Sequence, residues 1–301
     1  MPTFKLLFRV DPPSYFGLPE DGKLVVKAGL GREIVSPVLD SKSGNLVDHG
    51  TLPEYRRDDE AVKLDLRIGG NSASVHDNFF TLSIDAPDQE QALRAGVHLF
   101  EHFLRLLMAQ HGDLFRYDLL QIEAPGEEVT VRPGPRVFQM LHATMYNLDE
   151  LRERLSKAAT LSKLQNEILA RSLVYYEHAR FLFNLIGHAP PFSVHYSFML
   201  TSAYLYLWKA LTVILGDPST DSDYQIRFRT FGLPKNFWKD EMEPLKKVRD
   251  AYDVAHYTLD SKAIAEVQNS FGKAEALSRR VIIAYADYLA SQNSPSQAAN
   301  G

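Results

Sequence analysis

The stretch KKVRDAYDVAHYTLD, from Lys246 to Asp260, holds the residue types best suited to chemistry. Arg249 and His256 stand seven positions apart, and Asp250 follows the arginine. Seven helical steps of about 100° come to about 700°, so the two side chains face nearly the same way, two turns apart. An arginine stays charged and grips a phosphate with a two-pronged fork. A histidine exchanges a proton near neutral pH. A permanent cation and a proton shuttle facing one space suit phosphate chemistry. The same spacing also fits a plainer reading, because short motifs arise by chance. In that reading Arg249 is a solvated cation and His256 a capping or hydrogen-bonded core residue.

Other constellations carry less. HLFEH, His98 to His102, has the H-x-x-E-H spacing of two zinc ligands on one helical face. Arg94 and Arg105 flank it, no third ligand follows, and Arg94, His98, Glu101 and Arg105 form a polar stripe opposite Leu93, Val97, Phe100, Leu104 and Leu107. A solvated helix face without metal is expected there. VYYEHARF gathers Glu177, His178 and Arg180 and reads as a polar helix surface. His142, His188 and His195 have no partner at a telling spacing. There is no Gly-rich phosphate loop and no G-x-S-x-G elbow; GLGRE at Gly29 to Glu33 is too short for a nucleotide motif. No cofactor is expected.

Composition narrows the classes further. The 301 residues are 45% hydrophobic, enough for one large or two medium domains. The absence of cysteine excludes disulfides, thiolate metal sites and cysteine nucleophiles. Lys5, Arg9 and Asp11 interrupt the N-terminal apolar run, so no signal peptide is read and a cytoplasmic protein is expected. The net charge of −5 argues against a general polyanion binder. The charge is uneven, however. Residues 1–140 hold 15 Lys and Arg against 21 Asp and Glu, and residues 141–301 hold 18 against 17. Arg227 to Arg249 holds seven basic and three acidic residues, a local +4. Arg227, Arg229, Lys239, Lys246 and Lys247 are therefore candidates for a nucleic-acid backbone. Phe228, Phe231, Phe237 and Trp238 lie among them, as rings for unpaired bases or as core.

The elements that must position these residues divide the chain. TFKLLFRV, GKLVVKAG, AVKLDLRIGG, FFTLSIDA, RYDLLQIEA and EVTVRP read as strands. Gly69-Gly70-Asn71 marks a turn. Asp88 caps a helix that runs to about Gln110 and stops at Gly112. Later segments read as helices: 148–161 after an Asn147 cap, 164–186, 192–215, 241–257 and 261–289. Phe192 to Leu215 is apolar enough for a membrane-span test, with Lys209 its only fixed charge; its hydroxyls and His195 favour a buried bundle helix. The expected fold is α+β: a small mixed α/β domain at 1–140, an all-α helical bundle at 145–292, and a disordered tail at 293–301.

The helical half resembles the HEPN superfamily of nucleotide- and RNA-binding domains, and most of all its ApeA-like branch. The resemblance covers roughly residues 160–290. It rests on the apolar helix with Trp208, Leu211 and Leu215-Gly216, and on Arg249, Asp250 and His256 in the next motif. It implies a homodimer that binds RNA, with metal-independent endoribonuclease activity. His256 would be general base or acid, Arg249 would stabilise charge on the phosphorane, and Asp250 would orient either of them. YDVAHYTLD and the overall size also resemble, more faintly, a cytoplasmic accessory protein of methylamine-utilisation gene clusters. That second likeness implies a non-enzymatic assembly protein. Its bundle would dimerise and its acidic N-terminal domain would bind a protein partner.

Overall fold

The structure is a computed structural model that describes residues 1–11, 15–16, 38–39, 46–47, 63–76, 79–112, 114–125, 127–130, 145–146, 148–186, 189, 193–216, 220–251 and 261–293. The expected strand at 22–29, the Asn147 cap, His142, His188, His256 and the tail from Ser294 lie outside these residues. The fold is α+β. Contacts divide the chain into two compact units, one of residues 1–101 and 115–160, the other of 102–114 and 161–301. The division expected from sequence lay between 140 and 145.

In the first unit, strand β1 (Thr3–Asp11) precedes three two-residue strands, β2 (Tyr15–Phe16), β3 (Val38–Leu39) and β4 (Leu46–Val47). Then come β5 (Lys63–Ile68), β6 (Asn71–His76) and β7 (Phe79–Asp85). After helix α1 (Gln89–His111) follow β8 (Arg116–Ala124), β9 (Glu127–Thr130) and β10 (Met145–Tyr146). Six of these strands form one sheet in the order β5-β6-β7-β1-β8-β9, with every neighbour antiparallel. Alternation explains its core face: Phe4, Leu6, Phe8 and Val10 of β1 are buried, with Leu66, Ile68, Ala73, Val75, Phe80, Leu82 and Ile84 beside them. Gly69 and Gly70 both have positive φ, 56° and 92°, which suits the tight turn between β5 and β6. On the other face Arg9, almost fully buried, ion-pairs with Asp118, its register partner on β8.

Asp88 caps α1 as expected, its Oδ1 accepting from the Gln91 N–H at 2.8 Å. The buried stripe differs from the expected one. Leu93 and Val97 are only half-buried, and Ala92 and Gly96 take the core positions ahead of Phe100. Small residues let the helix backbone approach the sheet: a Cβ on Gly96 would lie 2.7 Å from Leu6 Cδ2. Phe100 then stacks on Phe8 with centroids 4.1 Å apart and meets Phe80 and Tyr117 edge-on. The polar stripe is also shorter than expected. His98 is exposed, but His102 is half-buried with Nε2 shielded from solvent. Among the described residues no three His, Asp or Glu side chains cluster as metal ligands.

Six helices follow: α2 (Leu148–Leu161), α3 (Glu167–Ile186), α4 (Val194–Leu215), α5 (Asp221–Thr230), α6 (Glu243–Ala251) and α7 (Ser261–Gln292). Residues of α2 up to Thr160 group with the sheet unit by their contacts. Its buried side chains Leu151, Leu155 and Ala158 form one stripe. In the second unit α3 and α4 pack along each other, and α7 packs on α3, α4 and α6. The α7 stripe reads as expected, with Ile264, Val267, Phe271, Leu277, Val281 and Tyr285 all buried. α4 is the one described helix long and apolar enough to cross a membrane, and 61% of its most apolar window is buried inside the protein. α5 falls between the helices expected at 192–215 and 241–257, where no element was expected. Thr220 caps it through Oγ1, and Tyr224 and Phe228, one turn apart, are its buried anchors.

Replacing Phe100 with Ala should cost the sheet unit about 3–5 kcal/mol, and Gly96→Leu about 1–3 kcal/mol through overpacking. Amide exchange of β1 and β7 should speed up accordingly.

Candidate nucleic-acid interface

Arg249 lies in the last turn of α6, where a cation is favoured by the helix dipole. Its guanidinium carbon sits 4.6 Å from the ring centroid of Trp208 on α4. That distance is a cation–π contact. Its Nε donates to Asp250 Oδ1 at 2.7 Å, and Nη2 lies 2.5 Å from the same oxygen. Lys246, one turn earlier, donates to Asp250 Oδ2 at 2.8 Å. Ring and carboxylate thus fix the guanidinium in plane and direction, while 27% of the Arg249 side chain stays exposed. Two cations share one carboxylate, so the cluster keeps a net positive charge. Burial pushes the Asp250 carboxyl up. The hydrogen bonds from Lys246 and Arg249 outweigh it and hold the group below its ordinary value.

α6 is held in place from α4. Tyr204, one turn before Trp208, is buried and donates its hydroxyl to the Leu245 carbonyl at 3.0 Å. Burial raises its pKa well above the usual tyrosine value, and the Arg249 charge opposes that rise. Tyr204 had no sequence signal beyond a place in an apolar helix, and Trp208 entered the sequence reading through the family resemblance, not as a platform for Arg249. Only the four-residue spacing hinted that both face one neighbour.

The remaining candidates separate. Lys247 pairs with Glu243 at 2.6 Å; the Lys247 hydrogen bond, with the Lys239 and Lys246 charges, lowers the Glu243 pKa. Lys239 and Arg229 are exposed and make no ion pair among the described residues. Arg227 is exposed too, and its guanidinium lies over Gly216 at the end of α4; a Cβ there would come within 2.6 Å of Nη1. The structure brings Lys246, Arg249 and Asp250 together. It gives no contact from Arg227 or Arg229 to that cluster. His256 lies outside the described residues, so the geometry of the Arg249–His256 pair is not part of the site as drawn.

The rings need correction. Phe237 and Trp238 are each 1% exposed and cannot stack on a base from those positions. Trp238 opens a π-helical turn, Trp238–Met242, and stacks on Tyr224 with centroids 3.9 Å apart. Phe237 packs edge-on against Phe228, itself fully buried, and lies under the Arg280 guanidinium. Phe231 is half-buried against Tyr285. These aromatics pack α5 and the π turn onto the bundle. No protein-family model, curated protein or solved structure matches this chain.

Tyr204→Phe should remove the second hydrogen bond to the Leu245 carbonyl and cost about 0.5–1.5 kcal/mol, measured by denaturant unfolding. Asp250→Asn should lower stability near neutral pH, because the folded-state pKa of Asp250 is depressed. The wild-type advantage should be full above the ordinary carboxylate range and fade as pH falls through the lowered value. Parallel unfolding curves of both proteins from pH 7 to pH 3 check it.

Proposed function

We propose that the helical unit is a HEPN-like RNA-binding module and cleaves RNA without a metal ion. The observation that supports it best is the setting of Arg249: flat on Trp208, aligned by Asp250, and partly open to solvent. A guanidinium so held meets a phosphate without first losing side-chain freedom. In the proposed reaction the 2′-hydroxyl loses its proton and its oxygen bonds to the adjacent phosphorus. The bond from phosphorus to the 5′-oxygen breaks, and that oxygen takes a proton. His256 exchanges one of these protons, Arg249 offsets charge on the phosphorane, and Asp250 positions Arg249. Lys246, Lys247, Lys239, Arg227 and Arg229 supply attraction to the backbone. Two copies pair, as the family resemblance implies, and bring two motifs together.

One observation favours the second reading, an accessory protein that docks partners. Val194 and Phe198, one turn apart on α4, are 66% and 47% exposed. Together with the burial of Phe237 and Trp238, they offer more for protein contact than for base stacking.

Mixed single-stranded RNA incubated with the protein in EDTA separates the two. Cleavage should occur in the wild type and vanish in His256→Ala, with binding kept within about threefold. Arg249→Ala should weaken binding and cleavage together, and Arg249→Lys should restore only part, since an ammonium lacks the fork. Affinity should fall as salt rises. No binding by the wild type at low salt would discard the RNA reading in favour of the accessory one.

A further inference from the structure

The burial of Phe237 and Trp238 leaves the RNA reading without two of the rings expected to meet unpaired bases. Rings of the needed kind stand elsewhere in the helical unit, on the outer side of the α3–α4 pair. Tyr175 and His178 of α3 meet Tyr206 of α4, with ring centroids 6.0 and 5.4 Å away. Lys209, three residues after Tyr206, places Nζ 4.9 Å from the Tyr206 centroid. Both tyrosines are half-buried, and His178 and Lys209 are exposed. The next residues along, Tyr176 and Leu207, are buried. One residue turns a helix by about 100°, so the core lies to one side of these rings and solvent to the other.

Charge on this face is one-sided. α4 has no Asp or Glu, and the two carboxylates of α3, Glu167 and Glu177, pair with Arg171 and Arg105. Lys209 makes no ion pair among the described residues. The face also borders the Arg249 cluster. Trp208, on which the Arg249 guanidinium lies, directly precedes Lys209. Around α4, Lys209 stands about 100° from Trp208 and about 60° from Tyr206, between the two. Leu205 and Thr212, both half-buried, occupy the sector between Trp208 and Lys209. A surface without a free carboxylate on these two helices therefore runs from Arg249 across Lys209 to the three rings.

We infer that Tyr175, His178, Tyr206 and Lys209 form the base-stacking face for an unpaired RNA strand whose phosphate Arg249 holds, an inference that rests on the RNA reading above. Every base has a flat π face, so rings hold a single strand without reading its sequence. Lys209, with no carboxylate to match it, takes a backbone phosphate beside the stacked base. A strand of anionic phosphates and flat bases complements the unmatched cation and the part-exposed rings at once.

The test is fluorescence anisotropy of the full chain with two labelled oligonucleotides at low salt in EDTA. One is 2′-fluoro oligoadenylate, which lacks the attacking hydroxyl and so stays intact. The other has the same length and phosphate charge but abasic sugars. Wild type should bind the first about tenfold more tightly. Tyr206→Ala should erase most of that preference and keep abasic binding within about twofold, and Tyr206→Trp should retain the preference. His178→Ala, at an exposed position, keeps the test open if Tyr206→Ala fails to fold; it should reduce the preference about threefold. Lys209→Gln should weaken both ligands alike and lower the salt slope by about 0.7. Equal wild-type affinity for the two oligonucleotides, or a preference that survives in both Tyr206→Ala and His178→Ala, would overturn this face and leave the RNA reading standing. Binding of neither by the wild type would overturn both. A second copy seated here is the competing occupant. A sedimenting dimer that Tyr206→Ala breaks, with both affinities unchanged, would assign the face to that copy and overturn the inference.

Discussion

The hydrogen bond from the buried Tyr204 hydroxyl to the Leu245 carbonyl fixes the helix on which the candidate site stands. α6 has nine residues, too few to be stable alone in water. It persists because Met242 and Leu245 are buried and because α4 holds its backbone at one point and its last turn at another. Trp208, one turn after Tyr204, supplies that second point under Arg249. The direction of the guanidinium is therefore a property of α4 as much as of α6. A change at Tyr204 would reach Arg249 without touching it.

α4 can serve as that support because most of it is buried and two of its hydroxyls bond to its own backbone. Ser197 and Thr201 donate their hydroxyls to backbone carbonyls one turn earlier, at 3.1 and 2.8 Å. Ser172 of α3 donates across the contact to the Ala210 carbonyl at 2.8 Å. Small hydroxyl residues thus let α3 and α4 approach closely while these three donors stay matched; Ser202 Oγ, also buried on α4, has no partner. The same residues made the segment readable in advance as a core helix. Its apolar length alone would have fitted a membrane span equally well.

Legibility followed how much of each element's burial is written in its own residues. β1, β5 and β7 alternate strongly, and their strands and inward faces were readable. β6, NSASVH, was not read at all. Only Ala73 and Val75 point inward, and its strand character comes from pairing with β5 and β7. α5 was not read, because two anchors in ten residues make no stripe. At the site, the adjacency of Arg249 and Asp250 and the i,i+4 place of Lys246 were legible as local geometry. The Trp208 platform was not, because it joins residues 41 positions apart. The rings at Phe237 and Trp238 were open to either role in sequence. A run of aromatics among cations has the same composition whether it faces water or packs on Tyr224 and Phe228.

The arginines of the helical unit share a pattern that makes one of them stand apart. Arg249 lies over Trp208 and is matched by Asp250; Arg280 lies over Phe237 and is matched by Glu241. Each has an aromatic face beneath it and a carboxylate on its fork, which satisfies both the weakly hydrated plane and the donor edge of a guanidinium. Arg180 has the ring, Phe183, and no carboxylate. Tyr176, one turn before it on α3, donates its hydroxyl to Glu275. Arg180 is only half-buried, so solvent meets part of its donor edge where Arg249 and Arg280 each take a carboxylate.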